Sequence, residues 1–310
     1  MVFIYRQEII KDISFFTSQP QANFYNELFM NLDLSCISEY NSKTGRTGYS
    51  NHAMICAFIV MKCEGFSQIS DLLDFLSNNL IIAYYCGFNV MDKLPSYAKF
   101  TRFIREFDND VLQTVMQSQV LKAVDLTLVD PSFIALDATP VKANVSNNNP
   151  KSFKKDKFSK NIQPKADKDC RLGVQTASNQ HDEKNYEFYW GYKNHILVDC
   201  ISGLPICELT TGANVSDSSV TLDMLKDDYR LSIDRSSIAF KAVYALRTEI
   251  ERYNSRFKQA GCERVFVRNG NSVKNLNTLA HISLLSVAIA AVVTKKDASY
   301  RSIKTLKRLA

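Results

Sequence analysis

The segment KAVYALRTEIERYNSRFK, residues 241–258, decides how the second half of the chain is interpreted. On a helix that turns about 100° per residue, its polar and apolar residues separate into two neighbouring stripes. The polar stripe lies within an arc of roughly 60° and consists of Tyr244, Arg247, Glu251 and Lys258. The apolar stripe consists of Val243, Leu246, Ile250, Tyr253 and Phe257. The pattern predicts an amphipathic helix, whose polar stripe is either a solvated face with i,i+4 ion pairing or one wall of an active site.

A second candidate residue, Asp137, lies in the earlier run PSFIALDATPVKAN, residues 131–144. Four apolar residues precede it and Thr139-Pro140 follow, so we expect Asp137 at the C-terminal end of a central strand. A carboxylate held there by a rigid sheet suits a metal ligand. The alternative is an Asp that begins a turn. The local sequence leaves both interpretations open.

The pattern after residue 126 predicts an α/β fold with antiparallel hairpins. Two β-type runs, 186–200 and 203–212, meet at a turn at Ser202-Gly203, and a helix follows over 216–229. The Asn-, Ser- and Lys-rich stretch 144–171 is interpreted as a mobile basic loop, extending to about residue 185. We therefore expect a second domain over 126–310.

Residues 1–125 predict an all-helical N-terminal domain. Apolar periodicity indicates helices over 51–66, 67–88 and 94–107. The third would bury its phenylalanines and present a basic face of Lys99, Arg102 and Arg105. That face is either solvated or in contact with a DNA backbone.

Composition limits the class of protein. The chain has 310 residues, a formal charge of +6 and a pI near 8.8, which permits a polyanionic partner without requiring one. Its eight cysteines form no zinc-binding spacing, which favours reduced thiols and a cytoplasmic protein. The most apolar run, 279–293, is shorter than the roughly 20 residues of a membrane span and is interpreted as a buried helix, so no membrane association is expected.

Several of these segments together resemble bacterial insertion-sequence transposases of the Asp-Asp-Glu type. The spacing Tyr-x2-Arg-x3-Glu-x6-Lys at Tyr244 to Lys258 is similar to the signature of that family. ALDATPVKAN resembles its first catalytic-Asp segment, and KADKDCRLG resembles its Asp-x-Asp-Ala-Arg-x-Gly loop, with Cys170 in the Ala position. YWGYKNHILVDCISGLPI resembles the next two strands, and the region from Tyr49 to Phe107 resembles the helical N-terminal domain.

The resemblance implies a ribonuclease-H-like domain that cuts and joins DNA ends with two Mg²⁺ or Mn²⁺ ions. Asp137 would bridge the metals and Glu251 would hold one of them. The DNA backbone near the terminal inverted repeat would be contacted by Tyr244, Arg247 and Lys258. The resemblance also implies target DNA as a partner, a homodimer on paired ends and a nucleoid-associated location.

The second catalytic Asp of that family is missing from the pattern. It normally ends a fourth strand, and no apolar β-type run occurs between Tyr229 and Phe240. The simplest interpretation is an internal deletion between about Lys226 and Arg230 that removed the strand and its Asp. Three hypotheses remain: a transposase with impaired cutting, a non-catalytic DNA-binding relic or repressor of transposition, and an unrelated basic α/β protein with a coincidental stripe.

Overall fold

The described residues before residue 126 are helical, as expected. The computed structural model describes residues 18–40, 48–149, 155–177, 185–225 and 248–310. Within them the first six helices are α1 (Pro20–Met30), α2 (Asn51–Cys63), α3 (Ile69–Asn78), α4 (Leu80–Tyr85), α5 (Tyr97–Glu106) and α6 (Asn109–Asp125). The prediction of one continuous helix over 67–88 is wrong. Asn79 leaves the helical conformation (φ −126°, ψ 69°), and its side-chain amide donates to the Phe75 carbonyl, so the chain forms two helices.

Four antiparallel strands follow: β1 (Ile134–Lys142), β2 (Arg171–Ala177), β3 (Asn185–Asp199) and β4 (Pro205–Gly212). The long strand β3 is central. It pairs with β1 on one side, and on the other side with β2 along its first half and β4 along its second half. The turn between β3 and β4 contains Gly203 at φ +65°, where the sequence placed it. The fold is thus α/β with a small antiparallel sheet.

Strand β1 corrects the expected position of Asp137. Asp137 pairs with Ile196 in the interior of β1, and the strand continues through Thr139 and Pro140 to Lys142. Pro140 does not end the strand because β1 has a β-strand neighbour on one side only among the described residues, and a missing N–H is tolerated at such an edge. Among those residues, β1 is therefore an edge strand and not the central one.

Much of the stretch interpreted as a mobile loop is ordered by specific contacts. Strand β2 lies within it and extends β3 as a hairpin. Asp167 is buried, and both of its carboxylate oxygens accept from the Tyr192 hydroxyl at 2.9 Å. The Trp190 indole donates to the Lys157 carbonyl at 2.8 Å. Buried anchors such as these fix a stretch whose composition alone suggests mobility.

Four further helices complete the described fold: α7 (Asp217–Leu225), α8 (Thr248–Phe257), α9 (Gly270–Val293) and α10 (Ile303–Leu309). A single π turn, Lys258–Cys262, extends α8. Helix α9 is long and apolar enough to cross a membrane by length and composition, but 89% of its apolar window is buried inside the protein. That burial is typical of a core helix, as the sequence predicted for its second half.

The two faces of the sheet are covered by different helices. Cross-strand pairing places Asp137, Ile196 and Glu208 in one row, and this face packs against α6, α8 and α9. The opposite face carries Leu136 and Leu197 under α7. One continuous core contains residues from α2, β1 and α9, on both sides of the expected boundary at residue 126. The division into 1–125 and 126–310 stays a prediction.

Candidate active site at strand β1 and helix α8

Helix α8 is joined to strand β1 at Asp137. The Asn254 side-chain amide donates to Oδ2 of Asp137 at 2.8 Å, and Asp137 is half-buried beneath it. Glu251 lies one turn earlier on α8, about 60° around the helix axis from Asn254. It is exposed and makes no ion pair among the described residues. The structure therefore brings the helix that carries Glu251 to the strand that carries Asp137.

The remaining predicted site residues are described only in part. Lys258 is half-buried in the π turn that follows α8, so it lies just beyond the regular helix. Tyr244 and Arg247 lie outside the described residues. The apolar stripe is confirmed where it can be seen, because Ile250, Tyr253 and Phe257 are buried.

The side of α8 away from Asp137 is held by charged contacts. Glu249 is nearly buried and forms ion pairs with Arg252 and, at 2.9 Å, with Arg301. The Arg256 guanidinium donates to the Gly203 carbonyl. Burial lowers the pKa of Arg256 from its ordinary value, although an arginine remains charged in any accessible solution. These contacts attach helix α8 to the turn between β3 and β4.

Beneath α8 lies a chain of buried hydrogen bonds that the sequence analysis missed. The Tyr253 hydroxyl lies 2.5 Å from Nδ1 of His281, and Nε2 of His281 lies 2.9 Å from Oδ1 of Asn194. Nδ2 of Asn194 donates to Oε2 of Glu208 at 2.7 Å. Because the Asn194 oxygen accepts, Nε2 of His281 carries the proton and Nδ1 accepts from Tyr253. We call Tyr253, His281, Asn194 and Glu208 the buried relay.

Glu208, at the end of the buried relay, accepts several hydrogen bonds. Gln113 of α6 and Thr278 of α9 both donate to its Oε1 at 2.5 Å. Burial raises the pKa of Glu208 above its ordinary value, while these hydrogen bonds act in the opposite direction. The relay thus connects an N-terminal helix, the sheet, α9 and the Glu251 helix through one carboxyl group.

His281 is neutral inside this core. Burial is the main cause that lowers its pKa to about 3, and the charge of Lys62 acts in the same direction. Its ring stacks on Phe257 with centroids 4.7 Å apart. The sequence offers one partial signal, a histidine among the polar residues Asn275, Asn277 and Thr278 of a helix that is largely buried, but it does not identify the partners of His281.

The other conspicuous histidine, His195, lies on the opposite face of the sheet. Its Nε2 contacts the Thr211 hydroxyl at 2.9 Å, and its Nδ1 lies 3.2 Å from Asp217, a distance without hydrogen-bond geometry. Burial lowers the pKa of His195, against a smaller opposite effect of Asp217. His195 is thus a hydrogen-bonded partner within the sheet, and the side chains of Trp190 and Tyr192 hold the stretch 155–177 in place.

The carboxylates do not by themselves form a complete metal site. Mg²⁺ prefers carboxylate oxygens, and Asp137 and Glu251 supply such groups. However, the described part of the chain contains no group of three or more His, Cys, Asp or Glu residues that could hold a metal ion. The Asn254 amide also occupies one oxygen of Asp137. The position expected for the deletion and for a fourth strand lies outside the described residues.

The basic face of α5 is present as predicted. Phe100 and Ile104 are buried, while Lys99, Arg102 and Arg105 are exposed. Arg105 pairs with the neighbouring Glu106 at 2.9 Å, an exposed contact of small energetic weight. This leaves Lys99 and Arg102 as cations available to an anionic partner.

The cysteines form no disulfide bonds in the structure. All eight are free, and most are buried. Burial raises the pKa of Cys56 to about 12, which is typical of an inert structural thiol.

Comparison with known families gives one match. Residues 14–106 match a family described as Transposase domain (DUF772), which covers less than a third of the chain and extends to the end of α5. The match supports a transposase-related function and origin in a mobile element, and a transposase domain implies interaction with DNA in general. No curated protein and no solved structure matches the chain.

Proposed function

We propose that this protein is a transposase of the Asp-Asp-Glu type by descent, which binds the terminal inverted repeats of an insertion sequence but is impaired in cutting them. In this proposal the region after residue 126 is a ribonuclease-H-like domain. Asp137 and Glu251 are its remaining acidic residues, and Tyr244, Arg247 and Lys258 contact the DNA backbone.

The observation that supports the proposal best is the hydrogen bond from Asn254 to Asp137. It seats the helix with the family spacing against the strand with the first acidic residue, although the two are more than a hundred positions apart in the chain. Asn254 lies beside the polar stripe on the helix surface, so the contact brings that side of α8 to the strand that carries Asp137. The transposase-domain match in the N-terminal half is independent support.

The chain's own residues suit binding better than catalysis. Lys258 supplies a point charge at the end of α8, and arginine guanidinium groups suit bidentate phosphate contact. Two Mg²⁺ or Mn²⁺ ions, as the resemblance implies, would supply the activation of water and the stabilisation of the leaving oxygen. Asp137 and Glu251 are too few carboxylates for such a pair, so we derive no metal-dependent step.

A direct test uses purified protein and a duplex that carries the terminal inverted repeats of a matching element. We expect salt-dependent binding of the duplex and little or no strand cleavage in Mg²⁺ or Mn²⁺. Cleavage that is abolished in Asp137→Ala but retained in a Glu263→Gln control would show that the site is active. Absence of any DNA binding would refute the proposal as a whole.

The second candidate function is a repressor of transposition, favoured by the same shortage of carboxylates. A repressor should lower the activity of a complete copy of the element in the same cell. Asp137→Asn and Glu251→Gln should leave that repression unchanged, because neither carboxylate contributes to DNA affinity in this hypothesis. Loss of activity only when DNA contacts such as Lys258 are replaced would support it.

A further inference from the structure

A row of basic side chains crosses the sheet at the level of Gly191. Gly191 of β3 pairs with Arg171 of β2 on one side and with Lys142 of β1 on the other. Lys142 in turn forms a parallel bridge with Arg264, in the segment that follows the π turn. Residues that are directly paired across strands place their side chains on the same face. We call Arg171, Lys142 and Arg264 the basic row.

The position of the basic row follows from strand geometry. Strands lie about 4.8 Å apart, so the row extends about 14 Å from Arg171 to Arg264. Lys142 is an odd number of residues from Asp137, so the row lies on the opposite face of the sheet from that carboxylate. Gly191 has no side chain, so nothing projects from the sheet surface between Arg171 and Lys142 at this position.

The charges of the row are largely available. Arg171 and Arg264 are exposed, and neither forms an ion pair with a carboxylate among the described residues. Nη1 of Arg171 donates to the carbonyls of Lys168, Asp169 and Cys170 at 2.8 to 3.2 Å, which holds the guanidinium in place. Lys142 pairs with the exposed Glu187 at 2.8 Å, so its charge is shared with that carboxylate.

An aromatic side chain continues the row at its Arg264 end. Exposed and more buried side chains alternate along residues 264–268. The exposed ones are Arg264, Phe266 and Arg268, and the more buried ones are Val265 and Val267. The Arg264 guanidinium lies 5.9 Å from the centroid of the Phe266 ring. The exposed arginines supply guanidinium groups of the kind that contact phosphates.

We propose that the basic row, with Phe266 and Arg268, is a second contact surface for the backbone of duplex DNA. The proposal rests on the proposed function only for the identity of the partner, since it concerns a different face of the sheet. Its length of about 14 Å is comparable to the rise of about four base pairs along one DNA strand. The contacts are to phosphates, so the surface adds affinity without reading base sequence.

Arg264 lies where the segment that follows α8 meets the edge of strand β1. Helix α8 passes Asp137 at Asn254, and the chain then reaches Lys142 at Arg264, so both run in the same direction along the edge of β1. Arg264 therefore lies at the edge of β1 near the end of α8, while the basic row extends from it across the face of the sheet opposite Asp137. The row extends the surface available to DNA beyond the residues of the family signature.

The test is the salt dependence of duplex binding by the full chain. Each phosphate contact adds about 0.9 to the slope of log K against log salt concentration, so Arg171→Gln/Arg264→Gln should lower the slope by about 1.8. The matched control is Lys304→Gln/Arg308→Gln on α10, which removes the same charge from exposed positions elsewhere. Arg264→Lys keeps the charge and should retain most of the slope.

The outcomes separate this inference from the proposed function. If the unmodified protein binds no duplex at low salt, both are overturned. If it binds and the double variant keeps the slope of the α10 control, the basic row alone is overturned. Tighter binding of RNA or of a polyglutamate peptide at this surface would overturn the assignment to duplex DNA. If the Arg171 replacement prevents folding, the single variant Arg264→Gln provides the test. It should lower the slope of log K against log salt concentration by about 0.9.

Discussion

Replacement of His281 should remove a defined part of the acid sensitivity of this protein. In the folded chain the pKa of His281 is about 3 because its imidazole is buried, whereas in the unfolded chain it returns to about 6.5. Between these values the unfolded state binds a proton that the folded state does not. The free energy of unfolding therefore falls as the pH is lowered from 6.5 towards 3, and is unaffected by this group above that window.

The expected size of the effect follows from the two pKa values. Each pH unit inside the window costs up to about 1.4 kcal/mol, so pH 5.0 should cost about 2 kcal/mol relative to pH 7.5. His195 also has a pKa lowered by burial and adds to the loss in the same direction. Glu208 has a raised pKa, so its protonation in the folded state opposes the loss. The difference between variants isolates His281 from these other groups.

The measurement is equilibrium urea unfolding at pH 7.5 and pH 5.0 for the unmodified protein and for His281→Gln. The variant should be less stable at pH 7.5 by about 1–3 kcal/mol, because the Tyr253 hydroxyl loses its acceptor. It should then lose about 2 kcal/mol less between the two pH values. His52→Gln, which replaces a half-buried histidine of α2, is the control. An equal pH dependence in the unmodified protein and His281→Gln would refute the assignment of a neutral, buried imidazole.

Three further predictions concern stability. Leu285→Ala, at a fully buried position of α9, should lower the free energy of unfolding by about 2–5 kcal/mol. Leu121→Ala, at a position 65% exposed, should change it by less than about 0.5 kcal/mol. Similar losses in both variants would mean that α9 is not part of the core. Asn254→Asp should place a second carboxylate beside Asp137 and lower the melting temperature at pH 7.5 relative to the unmodified protein. This difference in melting temperature should shrink near pH 3, where carboxylates become protonated. Tyr253→Phe should cost about 1–3 kcal/mol in urea unfolding by leaving a buried acceptor unpaired, and a cost near zero would contradict the buried relay.

The sequence predicted those features that depend on local pattern. Apolar periodicity located α2, α5 and the helical region that forms α3 and α4, together with the described part of the apolar stripe of α8, because a period of 3.6 is visible within a few turns. It did not locate α1 or α6 individually. It also located β3, β4 and the turn at Gly203. The local sequence predicts too early an end for β1, because Pro140 ends a central strand but is tolerated in an edge strand.

What the sequence could not predict depends on contacts distant in the chain. The buried relay joins Tyr253, His281, Asn194 and Glu208, and no spacing along the chain connects these residues. The order within 155–177 depends on Asp167, whose partner Tyr192 lies on another strand. The basic row exists only through strand register, since Arg171, Lys142 and Arg264 belong to three separate segments.

Helix α9 also determines when this protein can complete its fold during synthesis. It packs between helices made early in the chain, such as α2 and α6, yet it is translated only after the whole sheet. At about 5–20 residues per second, the ribosome needs on the order of ten seconds or more between the end of α6 and the end of α9. Until then the early helices expose the apolar surface that α9 covers in the folded protein. A copy of this gene interrupted before residue 270 would therefore give an aggregation-prone product, in which the early helices lack the helix that packs against them.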